Sequence, residues 1–217
     1  MISICMAYKN RKYQLIQTLK SISMSDIKDY EIIIVDDASD PEHRIEDLVE
    51  EYKIILKRID PKDKTWMNPS VPYNMAFSMA SGDKIVIQNP ECVHIGDILA
   101  KVNEELNNGI YQHFSCLSYP ENLTKCLDIS ENVVSQVKKM SSGIHFAATG
   151  AGQLAWYDHP RFFPRALHFC TAITKEDLNK IKGFDERFKD GYNFDDNEFV
   201  WRISNSGIKI VMYLDPF

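Results

Sequence analysis

Five short stretches of the sequence carry side chains able to bind a polar ligand or move a proton. Asp36-Asp37 closes the run Glu31-Ile32-Ile33-Ile34-Val35, and adjacent carboxylates there can accept hydrogen bonds from a base N–H or from ribose hydroxyls. Ala7-Tyr8-Lys9-Asn10-Arg11 offers an aromatic face and two cations. Asn89-Pro90-Glu91 presents a carboxamide and a carboxylate, stiffened by the proline between them. Asp195-Asp196, with Glu198 just beyond, precedes the apolar positions Phe199, Val200 and Ile203. One of that pair can take a proton from an attacking hydroxyl while the other shapes the pocket around it. The fifth stretch, Trp156-Tyr157-Asp158-His159-Pro160-Arg161 followed by Arg165 and His168, combines aromatic faces, on which sugar rings stack, with guanidinium groups that suit a diphosphate. Each stretch also has a purely structural reading. Tyr8 can cover the edge of the core, Asp36, Asp37 and Ser39 can satisfy a turn or cap a helix, and Asp195-Asp196 can complement a helix dipole.

The elements that must position these groups follow from hydrophobic periodicity. Ile2 to Ala7 reads as a strand, and Tyr13, Leu15, Ile16, Leu19 and Ile22 then recur at helical spacing. Glu31 to Val35 is a β-branched run of the kind buried on both faces of a sheet. Leu48, Val49 and Tyr52 mark a helix, Ile54 to Ile59 a third strand, and Asp60 to Val71 a polar loop. Pro72 suits the first position of a helix carrying Met75, Ala76, Met79 and Ala80, which Gly82 closes. Lys84 to Gln88 is a fourth strand, Ile95 to Leu106 an amphipathic helix, and Ile110 to Leu117 another strand. Alternating strands and helices predict an α/β fold, a mostly parallel sheet with helices on both faces and right-handed crossovers. Ligands of such a sheet sit beyond the carboxyl ends of the strands, the edge where the first three chemical stretches fall. The second half is less regular. Glu121 to Met140 reads as an inserted helical segment, and Ser141 to Gly152, with glycines at 143, 150 and 152, as a mobile stretch.

Composition sets the outer limits. With 217 residues, 44% hydrophobic and 26% charged, the chain is neither a disordered tail, a collagen-like fibre nor a small disulfide scaffold. It is long enough to bury well over half its surface, so no metal or crosslink is needed to hold the fold. A formal charge of −6 argues against a nucleic-acid partner. Cys5, Cys92, Cys116, Cys126 and Cys170 are odd in number and contain no CxxC, as expected of reduced thiols. No run approaches the roughly 20 apolar residues of a membrane span, and the apolar start has no basic leader, so a soluble, cytoplasmic protein is expected.

Taken in order, these motifs resemble the family 2 glycosyltransferases with the GT-A fold, a Rossmann-like sheet. The likeness runs over Ile2 to Ser21, Glu31 to Asp40, Tyr73 to Glu91 and Gly183 to Arg202, and rests most on Ile34-Val35-Asp36-Asp37-Ala38-Ser39-Asp40 and on Gly183-Phe184-Asp185-Glu186 followed by Asp195-Asp196. It implies one domain over 1–217, residues 1–118 binding a nucleotide-sugar and 119–217 holding an insertion and the acceptor half. It implies donor binding by Ala7, Tyr8, Asp36, Asp37, Asn74, Asn89 and Glu91, with Tyr8 stacked on the base, Asp37 bonded to it and Asp36 supporting the loop. Trp156 and Asp195 would contact the acceptor. Asp196 falls on the family's general base, for an inverting transfer from a nucleoside-diphosphate sugar, UDP being the usual one, to a hydroxyl acceptor such as a glycan, as in polysaccharide biosynthesis. Glu91 falls where the family's DxD motif places its metal-binding acid, so a divalent cation, Mn²⁺ or Mg²⁺, would stabilise the leaving group.

The sequence departs from that pattern at three places. Asn89-Pro90-Glu91 stands where the family has two or three aspartates, leaving one charged ligand; His168 is either a second ligand or a structural hydrogen-bonder. Lys182 replaces a glycine before Gly183, with an altered acceptor pocket as the expected result. The chain ends at Asp215-Pro216-Phe217 where family members continue into a tail, as a piece of a longer enzyme would. Two other functions compete. One is a catalytically silent GT-A module that binds a glycan or a partner protein. The other is a nucleotidyltransferase, disfavoured because Ala7 to Arg11 lacks the glycine-rich loop that wraps a triphosphate.

Overall fold

The computed structural model describes residues 1–124, 128–150 and 152–216; Cys126 lies outside them, and Cys5, Cys92, Cys116 and Cys170 are free thiols. In chain order the strands are β1 (Ile2–Tyr8), β2 (Tyr30–Asp36), β3 (Ile54–Arg58), β4 (Lys84–Gln88), β5 (Ile110–Ser118), β6 (Ala155–Asp158), β7 (Cys170–Thr174) and β8 (Lys209–Pro216). The helices are α1 (Lys12–Ser23), α2 (Val49–Tyr52), α3 (Ser70–Met79), α4 (Ile98–Glu105), α5 (Glu121–Thr124), α6 (Glu131–Ser141), α7 (Lys175–Ile181) and α8 (Asp195–Asn205). The strands form one sheet in the order β3-β2-β1-β4-β7-β5-β6, with β8 also paired to β5. Of these, β6 and β7 run against the others, since β7 is antiparallel to both β4 and β5, and β6 to β5.

Successive side chains of a strand point to opposite faces, and here each face has its own helices. Ile2, Ile4, Met6 and Tyr8 of β1, with Ile32 and Ile34 of β2, pack against Leu15, Leu19 and Ile22 of α1 and Leu99 and Val102 of α4. Cys5, Ile33, Val35, Ile85 and Ile87 pack on the other side against α3, α7 and α8 through Tyr73, Phe77, Leu178, Ile181, Phe199 and Ile203. Burial on both faces explains why β1, β2 and β4 are apolar runs and not alternating ones.

The expected α/β class and the helix-covered, mostly parallel sheet are present. The differences lie in the second half. No pattern predicted β6 or β7, yet β7 enters between β4 and β5, which are successive in sequence. Its run Cys170-Thr171-Ala172-Ile173-Thr174 is fully buried but too short and mixed to announce a central strand. Pro72 occupies the third position of α3, and α4 begins at Ile98, where Asp97 caps it by accepting from the Ala100 N–H at 3.0 Å. Among the described residues no helix is long and apolar enough to cross a membrane.

Candidate active site

The registers Tyr8↔Asp36 and Gln88↔Cys170 bring the carboxyl ends of β1, β2 and β4 and the start of β7 to one edge of the sheet. Beyond that edge lies a cleft of about 630 Å³, a volume typical of small-ligand sites. The end of β1 lines it with Ala7 and Tyr8 and the loop after it with Lys9, Asn10 and Arg11, the turn after β2 with Asp37, and the loop after β4 with Asn89, Pro90 and Glu91. His168 and Phe169 enter from the lead into β7, and Tyr192, Asp195 and Asp196 from the start of α8.

The first two loops are stitched together. The Asn10 carboxamide accepts from the Asp40 N–H at 2.9 Å and donates to the Asp40 carboxylate at 2.6 Å, while the Asn10 N–H donates to Ser39 Oγ at 3.1 Å. Asn10 does this at φ 53, a left-handed conformation that asparagine tolerates better than most residues. Asp36 is completely buried; its Oδ1 accepts from the Ser39 N–H at 2.9 Å, and Oδ2 lies 3.3 Å from Arg58 Nη1. Asp37, also buried, receives the Trp66 indole N–H at 2.8 Å on Oδ1 and the Lys64 ammonium on Oδ2. Lys64 and Trp66 were hidden in the polar loop expected over Asp60 to Val71; only an isolated tryptophan among lysines marked it in the sequence.

The Asn89-Pro90-Glu91 loop is anchored from below. Tyr73 donates its hydroxyl to Asn89 Oδ1 at 2.7 Å, with the Gln88 carbonyl 3.1 Å away. The buried Gln88 amide donates to the Cys92 carbonyl at 2.6 Å, and its Oε1 contacts His94 Nε2 at 3.0 Å. Glu91 faces solvent beside Arg11, Nε to Oε1 3.7 Å. As a seat for a divalent cation this arrangement fits poorly. Its single carboxylate already faces a guanidinium, the neighbouring carboxamide oxygen already has a donor, and among the described residues no three His, Cys, Asp or Glu side chains gather around a point.

Asp195 and Asp196 open α8. The residue before them, Phe194, stands at φ 76, so the chain turns sharply into the helix and both carboxylates fall in its first turn, where the dipole favours their charge. Asp195 is buried, whereas Asp196 is half-buried and accepts only the N–H of its neighbour Asn197 at 2.7 Å among the described residues. Glu198 is turned away, bound twice to Arg202 at 2.5 and 2.7 Å. Beside the aspartates sits His168, 6% exposed, with Nδ1 unpartnered among the described residues. Burial pushes its pKa below the ordinary histidine value against the opposing pull of Asp196 and Asp195. Its ring packs edge-on against Tyr73 at 5.2 Å and Phe184 at 4.9 Å.

The cleft thus brings together Ala7, Asp37, Asn89, Glu91, Asp195 and Asp196, with Asp36 behind Asp37. Other residues expected at the site are engaged elsewhere in this structure. Tyr8 borders the cleft but has no solvent-exposed surface, and its hydroxyl donates to the His43 carbonyl at 2.6 Å; its ring belongs to the core and offers no face for a base. Asn74 is spent on the Gly183-Phe184 turn, accepting from the Phe184 N–H at 2.9 Å and donating to the Phe184 carbonyl at 2.9 Å and to Glu186 at 3.0 Å. Trp156 is buried in β6 with its N–H on the Ile144 carbonyl at 2.8 Å, so it cannot stack on an acceptor. The rest of its stretch is a structural turn: Asp158 accepts from the N–H groups of Arg165, Ala166 and Leu167 at 3.1, 3.2 and 2.8 Å, and the Arg165 guanidinium lies 3.9 Å from the Phe163 ring centre. Lys182 is an exposed left-handed cap of α7 at φ 61 and does not border the cleft.

A family model described as Glycosyl transferase family 2 matches residues 3–122, and one described as the N-terminal domain of galactosyltransferase matches residues 166–215. No curated protein sequence gives a match. Among solved structures, a mannosyltransferase from Pyrobaculum calidifontis in complex with GDP-Man and Mn²⁺ superposes with a TM-score of 0.61 at 16% identity over 99% of this chain and 55% of its own. Residues 1–349 of S. aureus TarS give a TM-score of 0.64 at 14% identity over 99% of this chain and 58% of that one. The same protein with UDP-GlcNAc gives 0.62 at 13% identity, again over 99% of this chain, and 56% of its own. The chain spans little more than half the length of these solved chains, and at such identities the likeness is one of fold.

Proposed function

Because the chain belongs to glycosyl transferase family 2, we propose that it moves a sugar from a nucleoside-diphosphate donor to a hydroxyl acceptor with inversion at the anomeric carbon. The observation that carries this reading is the convergence of three strand-end loops and the first turn of α8 on one cleft, which sets the half-buried, sparsely bonded Asp196 opposite the loops suited to a nucleotide. Asp196 takes the acceptor's hydroxyl proton as that oxygen bonds to C1. The C1–oxygen bond to the diphosphate breaks on the opposite face, and its electron pair leaves with the phosphate. Asp195 shapes the acceptor side. Asp37, held by Lys64 and Trp66, and the Asn89-Pro90-Glu91 loop border the donor side, and Asp36 keeps the β2 turn in place. In this division residues 1–118 serve the donor and 119–217 the acceptor, a glycan, and the donor is a UDP-sugar, the nucleotide class bound by TarS. No step is assigned to a divalent cation, because the loop that would hold one has a single carboxylate facing Arg11.

A thermal-shift panel of UDP, GDP and their sugars, each with and without Mn²⁺, tests the reading, since a ligand that binds only the folded state raises Tm by mass action. Selective stabilisation by UDP and one UDP-sugar is the expected result. No stabilisation by any of them would overturn the assignment. A silent binding module would instead respond to the nucleotide yet release no diphosphate from any donor and acceptor pair.

A further inference from the structure

We infer that the cleft contains a cationic diphosphate subsite, formed by Lys9 and Arg11 at the N-terminus of α1, that neutralises the leaving group without a divalent cation. The inference rests on the nucleotide-sugar reading above and adds to it which groups meet the phosphates. Both side chains are exposed and border the cleft beside Asn89-Pro90-Glu91. Lys9 has no ion-pair partner among the described residues, and Arg11 has only Glu91, at 3.7 Å. The helix behind them is open to an anion: Arg11 at its N-cap position makes no side-chain cap, and no acidic residue stands in its first turn. A helix end of that kind adds a partial positive charge behind the two cations.

A second observation comes from the far wall. His168 is buried, borders the same cleft and leaves Nδ1 unpartnered among the described residues. Burying a ring nitrogen without a partner is unfavourable, a cost of the kind that functional sites carry. The acids, by contrast, are arranged against a metal. Asn89 Oδ1 accepts from Tyr73, and Glu91 is set to orient Arg11. Guanidinium and ammonium groups supply charge-assisted bonds to phosphate oxygens, and the developing negative charge on the departing diphosphate strengthens them as the C1–oxygen bond breaks.

Calorimetric titration of the whole chain with UDP and with inorganic pyrophosphate, in EDTA and then in Mn²⁺, tests this. Both probes are expected to bind in EDTA within about threefold of their affinity with Mn²⁺, and the paired change Lys9→Gln, Arg11→Gln to weaken both by roughly tenfold or more. Because both residues are exposed, that variant keeps its fold, which its Tm checks. Glu91→Gln separates the two roles of the acid: a residue that orients Arg11 changes affinity equally in EDTA and Mn²⁺, whereas a metal ligand changes it only in Mn²⁺. Binding that appears only with Mn²⁺, or an unchanged affinity in the doubly substituted protein, overturns the cationic subsite and leaves the transferase reading standing. If neither UDP nor pyrophosphate binds under either condition, both fail.

Discussion

The chain contains two Asp-Asp pairs, and the structure treats them in opposite ways. Asp36-Asp37 ends a central strand and is buried, its carboxylates meeting Arg58, Ser39, Trp66 and Lys64. Asp195-Asp196 begins a helix, and Asp196 bonds only to the N–H beside it among the described residues. A carboxylate held by several partners keeps its place, because moving it breaks several contacts at once. One with free lone pairs in a helix's first turn can accept a proton from something that arrives. The identical dipeptide thus serves as scaffold on one wall of the cleft and as a candidate reagent on the other.

That contrast can be broken by substitution. The largest effect is expected at Asp196→Asn, which removes the proton acceptor and should lower transfer by roughly 10²–10⁴-fold while the UDP affinity measured by calorimetry stays near wild type; undiminished turnover would remove the base assignment. Asp36→Ala should act on the fold. It strips a buried partner from Arg58 and unties Ser39, at a cost of about 3 kcal/mol in a urea titration, and a loss below half of that would show the turn to be held by Asn10 and Asp40 instead. Gly183→Ala sharpens the comparison from between the walls. At φ 63 and with Asn74 Oδ1 in the space a Cβ would take, the new methyl should cost about 2 kcal/mol and loosen the α7–α8 wall more than the β1–β2 wall, as hydrogen exchange would report.

The smallest effect is a pH dependence beneath the third loop. Burial lowers the His94 pKa from 6.5 to about 4, so the folded imidazole stays neutral where the unfolded one takes a proton. Its contribution is fully present above about pH 6.5, declines as pH falls toward about 4 and changes no further below that. His159 and His168 are shifted in the same direction, burial being the main cause for each. Replacing His94 by Gln should therefore shrink, without abolishing, the fall in Tm between about pH 7 and about pH 5; an unchanged slope would place the effect in the other two.

Much of the wall formed by the ends of β1, β2 and β4 was legible because it follows from local pattern. Ile32-Ile33-Ile34-Val35 is a strand in any context, and an abrupt polar end to a parallel strand falls on the ligand edge by topology. Asp196 was singled out by its motif, and it lies at the cleft. The contacts of Tyr8, Asn74 and Trp156 were not legible for a common reason: a residue type suited to binding is equally suited to filling a core or pinning a turn, and the partners that decide between these come from residues far away in sequence. Tyr8 meets His43, Asn74 meets Phe184 and Trp156 meets Ile144. Lys64 and Trp66 escaped notice because a loop has no periodicity to say where its side chains point.

What the sequence determined by itself is the run of strands and helices from β1 to β5 and the edge of the sheet at which polar loops gather, since hydrophobic period is a local property. Tertiary structure alone decided that β7 passes between β4 and β5, that His168 stands beside Asp196 and that Glu91 faces Arg11. Each of these joins residues far apart in sequence, and the free energy that selects one pairing from many is that of packing and desolvation in the finished fold, which no single segment contains.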